Sequence, residues 1–471
     1  MEGDIRQIAE DLKSPAGNSP RFSSPDAINA NREAFVEKCH DTWKRLHLRA
    51  IEEILTWDAF MRAETIARTR RSKEDAHVGK PMQAFGKHNL AIWRKVNDSI
   101  VWSILGLRRH VIKRLCLYKE RTYLSESNAE SVLDFLNDVN ASPLKLALWN
   151  DATSCIDIGD VTVIENGLAP HPRFLELKEG RVNDDILELF DKGEEDLQSG
   201  FTLFFDKYGK KGFDQIDRVI RQKVTADQAI DLLNNDKGID PVTGREMKVM
   251  ESPIPEDFYD HKLNEVLKEA CRTKKDAIST IDGCLWVFAN ANKYISRAEA
   301  IERFTSLLNK RISGCPLSRS EKHPSWDKGK LFGLDDMNLR RPLAKPLFVR
   351  NLDSDIIASV IAGDLSRRVF LYFDWDGFAR LIDKAGATFK WSSEKKARQS
   401  RAGDPRLRPP IIYGRIPEVY VGEVCGHITD PNLVEMLCDG KTPNTMAIET
   451  VAALQHIYQQ YKSGEYGPKR S

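Results

Sequence analysis

Asp160 and Glu176 are the residues whose types and spacing could do hydrolytic chemistry, with Lys178 beside the second acid. They lie in two short strand-like runs, Asp157-Ile158-Gly159-Asp160-Val161-Thr162-Val163 and Arg173-Phe174-Leu175-Glu176-Leu177-Lys178. Residues two apart in an extended segment share a face, so Glu176 and Lys178 point the same way and leave the strand roughly 7 Å apart. Asp160 falls in a row with Ile156, Ile158, Thr162 and Ile164, an apolar setting in which a lone carboxylate is costly and asks for a cation. Gly167, Pro170 and Pro172 between the runs are the punctuation of a connection between paired strands. Pairing would join the two carboxylates into a hard oxygen site of the kind that holds Mg²⁺ or Mn²⁺. An ion there would orient and acidify water, and the lysine would add positive charge where negative charge develops on a phosphate.

An acid at a strand end, a short loop and then acid-x-Lys on the next strand, here Asp160 and Glu176-Leu177-Lys178, resembles the PD-(D/E)XK, or restriction-endonuclease-like, nuclease superfamily. The resemblance covers roughly residues 125 to 295. It implies that Asp160 bridges the metal, that Glu176 and the backbone carbonyl of Leu177 complete the protein ligands, and that Lys178 activates the attacking water. Gly159 stands where the pattern has proline, and Asp157 is a rival for the first acid. Glu130 is available as a helix acid, although Ser127-x-x-Glu130 also reads as a capping box. Gln215-x-x-Arg218 falls on a downstream helix where related nucleases carry a Gln or Arg facing the site; a solvated helix face accounts for it equally.

Glu-x-Lys alone says little in a chain that is 30% charged, so the weight rests on its conjunction with Asp160 and the flanking helices. The activity implied is a Mg²⁺-dependent (or Mn²⁺-dependent) nuclease hydrolysing DNA phosphodiester bonds, in restriction or defence against foreign DNA. The alternative is a catalytically inactive scaffold with a nuclease-like fold that binds nucleic acid or protein.

The elements expected to position these residues make an α+β protein. A flexible leader (1–28) precedes a helical region (29–120), a central mixed β-sheet flanked by helices (121–295) and a C-terminal α+β region (296–471). Phe35, Cys39, Trp43, Leu46, Ala50 and Ile54 recur at helical spacing toward Arg71, and Leu90, Trp93, Val96 and Ile100 do so between Met82 and Tyr118. Both tryptophans lie on the apolar stripes and are expected in the core. A helix from Ser127 to Val139 and a strand from Leu144 to Trp149 precede the two acid-bearing strands. Helical spacing runs from Val182 to Leu233 with a break near Gly209 to Gly212, then a turn-rich stretch (235–249) and a helix from Asp260 to Ile278. The apolar run Gly283 to Ala289 is expected to close the nuclease sheet. Further on, a helix is expected at 297–310, strands at 368–373, 411–415 and 418–424, and a last helix at 444–461.

With 71 basic against 70 acidic residues and a net charge of +1, any nucleic-acid surface must come from local clustering. Candidates are Arg70, Arg71, Arg108 and Arg109 on the helical pair, with Lys44, Arg45, Arg94, Lys95 and Arg114 near them, and Lys395, Lys396 and Arg398 in a basic segment read as a loop. A cradle for a phosphate backbone and ordinary solvated faces explain these equally well. Eight cysteines occur without a CxxC; Cys425-Gly426-His427 is the nearest approach to a metal pair and has no partner pair, so no structural zinc is expected. Asp374 and Asp376 form a second acid pair that a turn explains as well as a site. The start carries no signal-peptide pattern and no apolar run reaches membrane-spanning length, which together predict a cytoplasmic protein with no membrane partner; the oligomeric state stays open.

Overall fold

The computed structural model describes residues 1–13, 32–70, 79–107, 109–117, 123–126, 129–165, 172–177, 181–191, 194–235, 237–240, 244, 246–248, 254–311, 329–334, 339, 341–401 and 415–463. The chain is α+β and divides into two compact units, one of Asp11–Met250 and one of Met1–Glu10 with Glu251–Ser471. The division falls well before residue 295, because the strand expected to close the nuclease sheet belongs to another sheet. Every paired strand among the described residues is antiparallel, so the mixed sheet is not found there.

In the unit Asp11–Met250, α2 (Arg32–Arg70) and α3 (Gly79–Ile104) form an antiparallel pair. Trp57 meets Phe85 at 5.4 Å between ring centroids, and His47 meets Asn97. Gly86 admits this approach, since a Cβ there would stand 2.3 Å from Met61 Sδ. Trp43 and Trp93 are buried as their stripe positions imply. The second expected helix does not reach Tyr118: Gly106 and Leu107 take positive φ (66° and 59°), and α4 (Arg109–Leu115) starts afresh.

Next, α5 (Ala129–Asn140) leads into β1 (Lys145–Trp149), β2 (Val161–Glu165) and β3 (Arg173–Leu175), a meander in that order. Leu146 faces Ile164 and Leu148 faces Thr162 across β1 and β2, and Val161 faces Leu175 across β2 and β3. The first four residues of β2 are all buried, so both faces of the central strand are covered. His47 ties the helical pair to this sheet: its Nε2 accepts the Trp149 amide at 2.9 Å, and its Nδ1–H donates to Asn97 Oδ1 at 2.9 Å. Asn97 in turn donates to Ala152 O at 2.9 Å.

Beyond the sheet, α6 (Arg181–Asp191) packs on α7 (Glu194–Asn235) through Ile186, Leu189, Phe204 and Ile216. The kink falls at Gly209, whose φ of 56° and ψ of −148° interrupt the helix where the sequence marked a break. The turn-rich stretch after α7 holds a small hairpin, β4 (Lys237–Ile239) with β5 (Glu246–Lys248).

In the other unit, Ile5 and Ile8 of α1 (Glu2–Lys13) are buried, and Arg6 Nε pairs with Asp355 Oδ1 at 2.5 Å. The expected leader therefore begins as a helix; its remainder from residue 14 lies outside the described residues. Helix α8 (Asp260–Thr273) stops at Lys274, which takes a left-handed φ of 54°, and β6 (Asp276–Ile281) starts where helix was expected. Asp282 and Gly283, both at positive φ, turn the chain into β7 (Leu285–Asn290). Strand β7 pairs with β6 and with β9 (Val369–Asp374), and β8 (Gly329–Gly333) completes the order β6-β7-β9-β8. Helix α9 (Arg297–Arg311) covers it, stacking Phe304 on Phe288 at 5.0 Å. Helix α10 (Ser354–Ala362) precedes β9, all six residues of which are buried.

Asp374 ends β9 and caps α11 (Trp375–Lys384), its carboxylate accepting the amides of Asp376 at 3.1 Å and Gly377 at 3.0 Å. Burial raises its pKa even though these amides favour the carboxylate. Asp374 of the second acid pair thus caps a helix start, which the Asp-Gly signal disguised as a turn. Asp374→Ala is expected to lower the stability of this unit by about 1 kcal/mol, read as a lower urea midpoint; an unchanged midpoint would remove the cap from the account.

A second sheet has the order β10-β11-β12, from β10 (Thr388–Trp391), β11 (Pro417–Val421) and β12 (Val424–Gly426). The single strand expected over 418–424 is instead a hairpin turning at Gly422, whose φ is 58°. Helix α12 (Glu394–Arg401) lies between β10 and β11, and α13 (Asp430–Asp439) and α14 (Pro443–Lys462) close the chain. Arg350 is fully buried: its Nε donates to Asp260 Oδ1 at 2.9 Å and its Nη1 to Cys438 O at 3.2 Å, while the Asn351 amide donates to Asp260 Oδ2 at 2.9 Å.

Candidate functional site

Asp160 sits at the entry to β2, and its position follows from Gly159. That glycine has a φ of 68°, and a Cβ on it would stand 2.9 Å from the Leu175 carbonyl oxygen, so only glycine lets the two strand ends close here. The Asp160 amide donates to Leu175 O at 2.8 Å, and its Oδ2 accepts the Leu177 amide at 2.7 Å. The carboxylate just before β2 is thereby bonded to the chain one residue past Glu176, which follows the end of β3. Asn150 fastens the other side of the loop, its amide donating to Asp160 O and its Nδ2 to the carbonyls of Ile158 and Gly159.

Glu176 is half-buried and accepts a hydrogen bond from Gln222 Nε2 at 3.3 Å. It lines a cleft of about 530 Å³ with Asp157, Arg218, Arg221, Gln222 and Thr225, so α7 forms the wall opposite the strand ends. Asp160 is not among the described residues that line this cleft. Asp157 is buried and works as a clip: its amide donates to Leu115 O at 2.8 Å and its Oδ2 accepts the Leu117 amide at 2.6 Å, fixing the chain after α4.

On α7, Arg218 faces the cleft, whereas Gln215 donates to Asn183 Oδ1 at 2.9 Å and braces α6. Gln222, two helical turns beyond Gln215, is the glutamine that reaches Glu176. Arg221 pairs with Asp217 one turn earlier and borders the same cleft. Gln222 and Arg221 were not singled out in the sequence; their helical spacing from Arg218 is the signal that would have found them. Glu130 is exposed in the first turn of α5 and does not line the cleft; its expected capping partner Ser127 lies outside the described residues. Lys178 also lies outside them.

Four residues of the expected basic cradle are engaged in internal contacts. Lys44 donates to Ser142 O at 2.7 Å, Arg94 to Asp151 O at 2.6 Å and Arg114 to Leu232 O at 2.7 Å, and buried Lys95 pairs with Asp98 at 2.7 Å. Arg109 begins α4 half-buried; Arg71, Arg108 and the side chain of Arg70 lie outside the described residues. In the other unit, the expected basic loop is helix α12: Lys396 pairs with Glu418 and Arg398 with Glu394, while Lys395 is exposed.

The carboxylates that line the cleft are those of Asp157 and Glu176, hard oxygen donors, and Arg218 and Arg221 of α7 border it. No helix among the described residues is long and apolar enough to cross a membrane. No family model, curated protein or solved structure matches this chain.

Proposed function

We propose that the unit Asp11–Met250 is a divalent-cation-dependent nuclease that hydrolyses DNA phosphodiester bonds at the cleft between the strand ends and α7. The observation that carries this reading is the bond from the Leu177 amide to Asp160 Oδ2, which ties Asp160 to the chain one residue past Glu176, while Glu176 lines the cleft with Arg218 and Arg221. Asp160 and Glu176 would hold Mg²⁺ or Mn²⁺. When bound, such an ion supplies a Lewis acid for the phosphoryl oxygens. Arg218 and Arg221 bind the phosphate and share the charge that builds on it in the transition state. Gln222 holds Glu176 in position from α7. The order helix, three antiparallel strands, helix over α5, β1–β3 and α6–α7 supports a restriction-endonuclease-like reading of this core.

A second reading, a scaffold that binds without cutting, is favoured by a specific observation: Asp160 and Asp157 each give an oxygen to a backbone amide, as structural acids do. One experiment separates them. Purified chain incubated with plasmid, linear and single-stranded DNA, and with RNA, is expected to cut DNA with Mg²⁺ or Mn²⁺ and to stop in EDTA. Glu176→Gln and Asp160→Asn are expected to lower the rate about a hundredfold with the circular dichroism spectrum unchanged. Binding without cleavage under either metal would leave the scaffold, and cleavage of RNA alone would replace the substrate.

A further inference from the structure

A second cluster of chemically able side chains lies on the hairpin of β11 and β12, in the unit of Met1–Glu10 with Glu251–Ser471. Its register pairs Val419 with Gly426 and Tyr420 with Cys425, so one more step sets Glu418 opposite His427. Residues two apart share a face, and cross-strand partners share it too. Glu418, Tyr420, Cys425 and His427 therefore project from one side of the hairpin. One donor atom each from Glu418, Cys425 and His427 lies within 4.8 Å of the others.

We propose that Glu418, Cys425 and His427 form a zinc site. Thiolate, imidazole and carboxylate together are a borderline-soft donor set that takes Zn²⁺ in preference to Mg²⁺, and three protein ligands leave a fourth position for water. Tetrahedral ligands on zinc stand roughly 3.5 Å apart, so small side-chain rotations close the cluster on the ion. His427 is oriented for this: its Nδ1–H points to Pro417 O at 3.4 Å, which leaves the Nε2 lone pair for a metal. On binding, the Cys425 thiol gives its proton to solvent.

The same contacts argue against a thiol nucleophile with a histidine base. In that arrangement a carboxylate orients the imidazole, whereas here a backbone carbonyl does so. Glu418 instead pairs with Lys396 and accepts the Tyr420 hydroxyl at 2.7 Å. Glu418 is 3% exposed, and Lys396 supplies the positive charge that a buried carboxylate requires. The lysine side chain is 45% exposed, so it can swing into solvent and yield to an ion. Lys396 is thus a competitor of the metal.

Co²⁺ added to the chelator-stripped full chain tests this, because a cobalt–thiolate bond gives a charge-transfer band that oxygen ligands at the carboxylate cleft do not. The expected result is such a band at one equivalent, displaced by Zn²⁺, absent in Cys425→Ser and at least about tenfold weaker in affinity in His427→Ala. Lys396→Ala is expected to tighten the site about tenfold, a gain that misfolding cannot produce. No band, a band that persists in Cys425→Ser, or an affinity unchanged in Lys396→Ala would each overturn the site.

Discussion

Replacing Asp260 by alanine is expected to destabilise the unit containing Glu251–Ser471 by about 3–5 kcal/mol, the largest stability effect of any single change considered. Arg350 is fully buried, and Asp260 is the counter-charge for its guanidinium. Removing the carboxylate leaves a cation in a medium that solvates it poorly and also takes the acceptor from the Asn351 amide. The pair joins the start of α8 to the end of α13, where Arg350 donates to Cys438 O and the Tyr259 hydroxyl to Leu437 O. Hydrogen exchange of the β9 amides reads the loss in the full chain, since those amides exchange only when the sheet opens. The double variant Asp260→Leu, Arg350→Met is expected to recover most of it, because both charges leave together. Equal protection in wild type and Asp260→Ala would show that the pair carries no net stability.

Acid is expected to weaken the unit Asp11–Met250 through His47. Burial lowers the pKa of this imidazole from 6.5 to about 4, the hydrogen bond to Asn97 acting in the opposite direction. Between those values the unfolded chain takes up a proton that the folded one refuses, so stability is complete above pH 6.5 and falls as the pH drops toward 4. The contribution at stake is about 3 kcal/mol. Urea midpoints of wild type and His47→Gln over this range isolate it, because His40, whose pKa burial also lowers, is common to both. Parallel curves for the two proteins would remove His47 as the source. If the nuclease reading holds, activity lost on acidification should track this unfolding, because the same imidazole holds the Trp149 end of the sheet that carries Asp160.

Much of the helical framework was legible because apolar spacing of three and four has one geometric solution. Trp43 and Trp93 fell on the stripes and in the core, and a glycine marked the kink at Gly209. What failed depended on tertiary facts. Lys274 ends α8 in a conformation usually left to glycine, so nothing local announced that Asp276–Ile281 is a strand. The apolar run Gly283–Ala289 was expected as a buried strand and is one, β7, over Leu285–Asn290, but its partners are β6 and β9, and no local pattern names a partner.

At the candidate site, the adjacency of Asp160 and the Glu176–Leu177 segment was readable from the two strand-like runs and the punctuation between them. The choice of Gln222 over Gln215 was not, because it depends on how α7 is rotated about its own axis against the sheet. The grouping of Glu418, Cys425 and His427 was hidden for a similar reason: Cys425 and His427 are close in sequence, but Glu418 joins them only through hairpin register.

The order β6-β7-β9-β8 has a consequence for how this protein is made. One of the two inner strands of that sheet, β9, is the last of the four to leave the ribosome, since it ends at Asp374 while β8 ends at Gly333. At about 5–20 residues per second, the nascent chain spends several seconds with β7 and β8 lacking their shared neighbour. During that interval the apolar side chains and open backbone edges awaiting β9 are exposed to whatever else is in the cell, which makes this stage of synthesis the point where a chaperone would matter most.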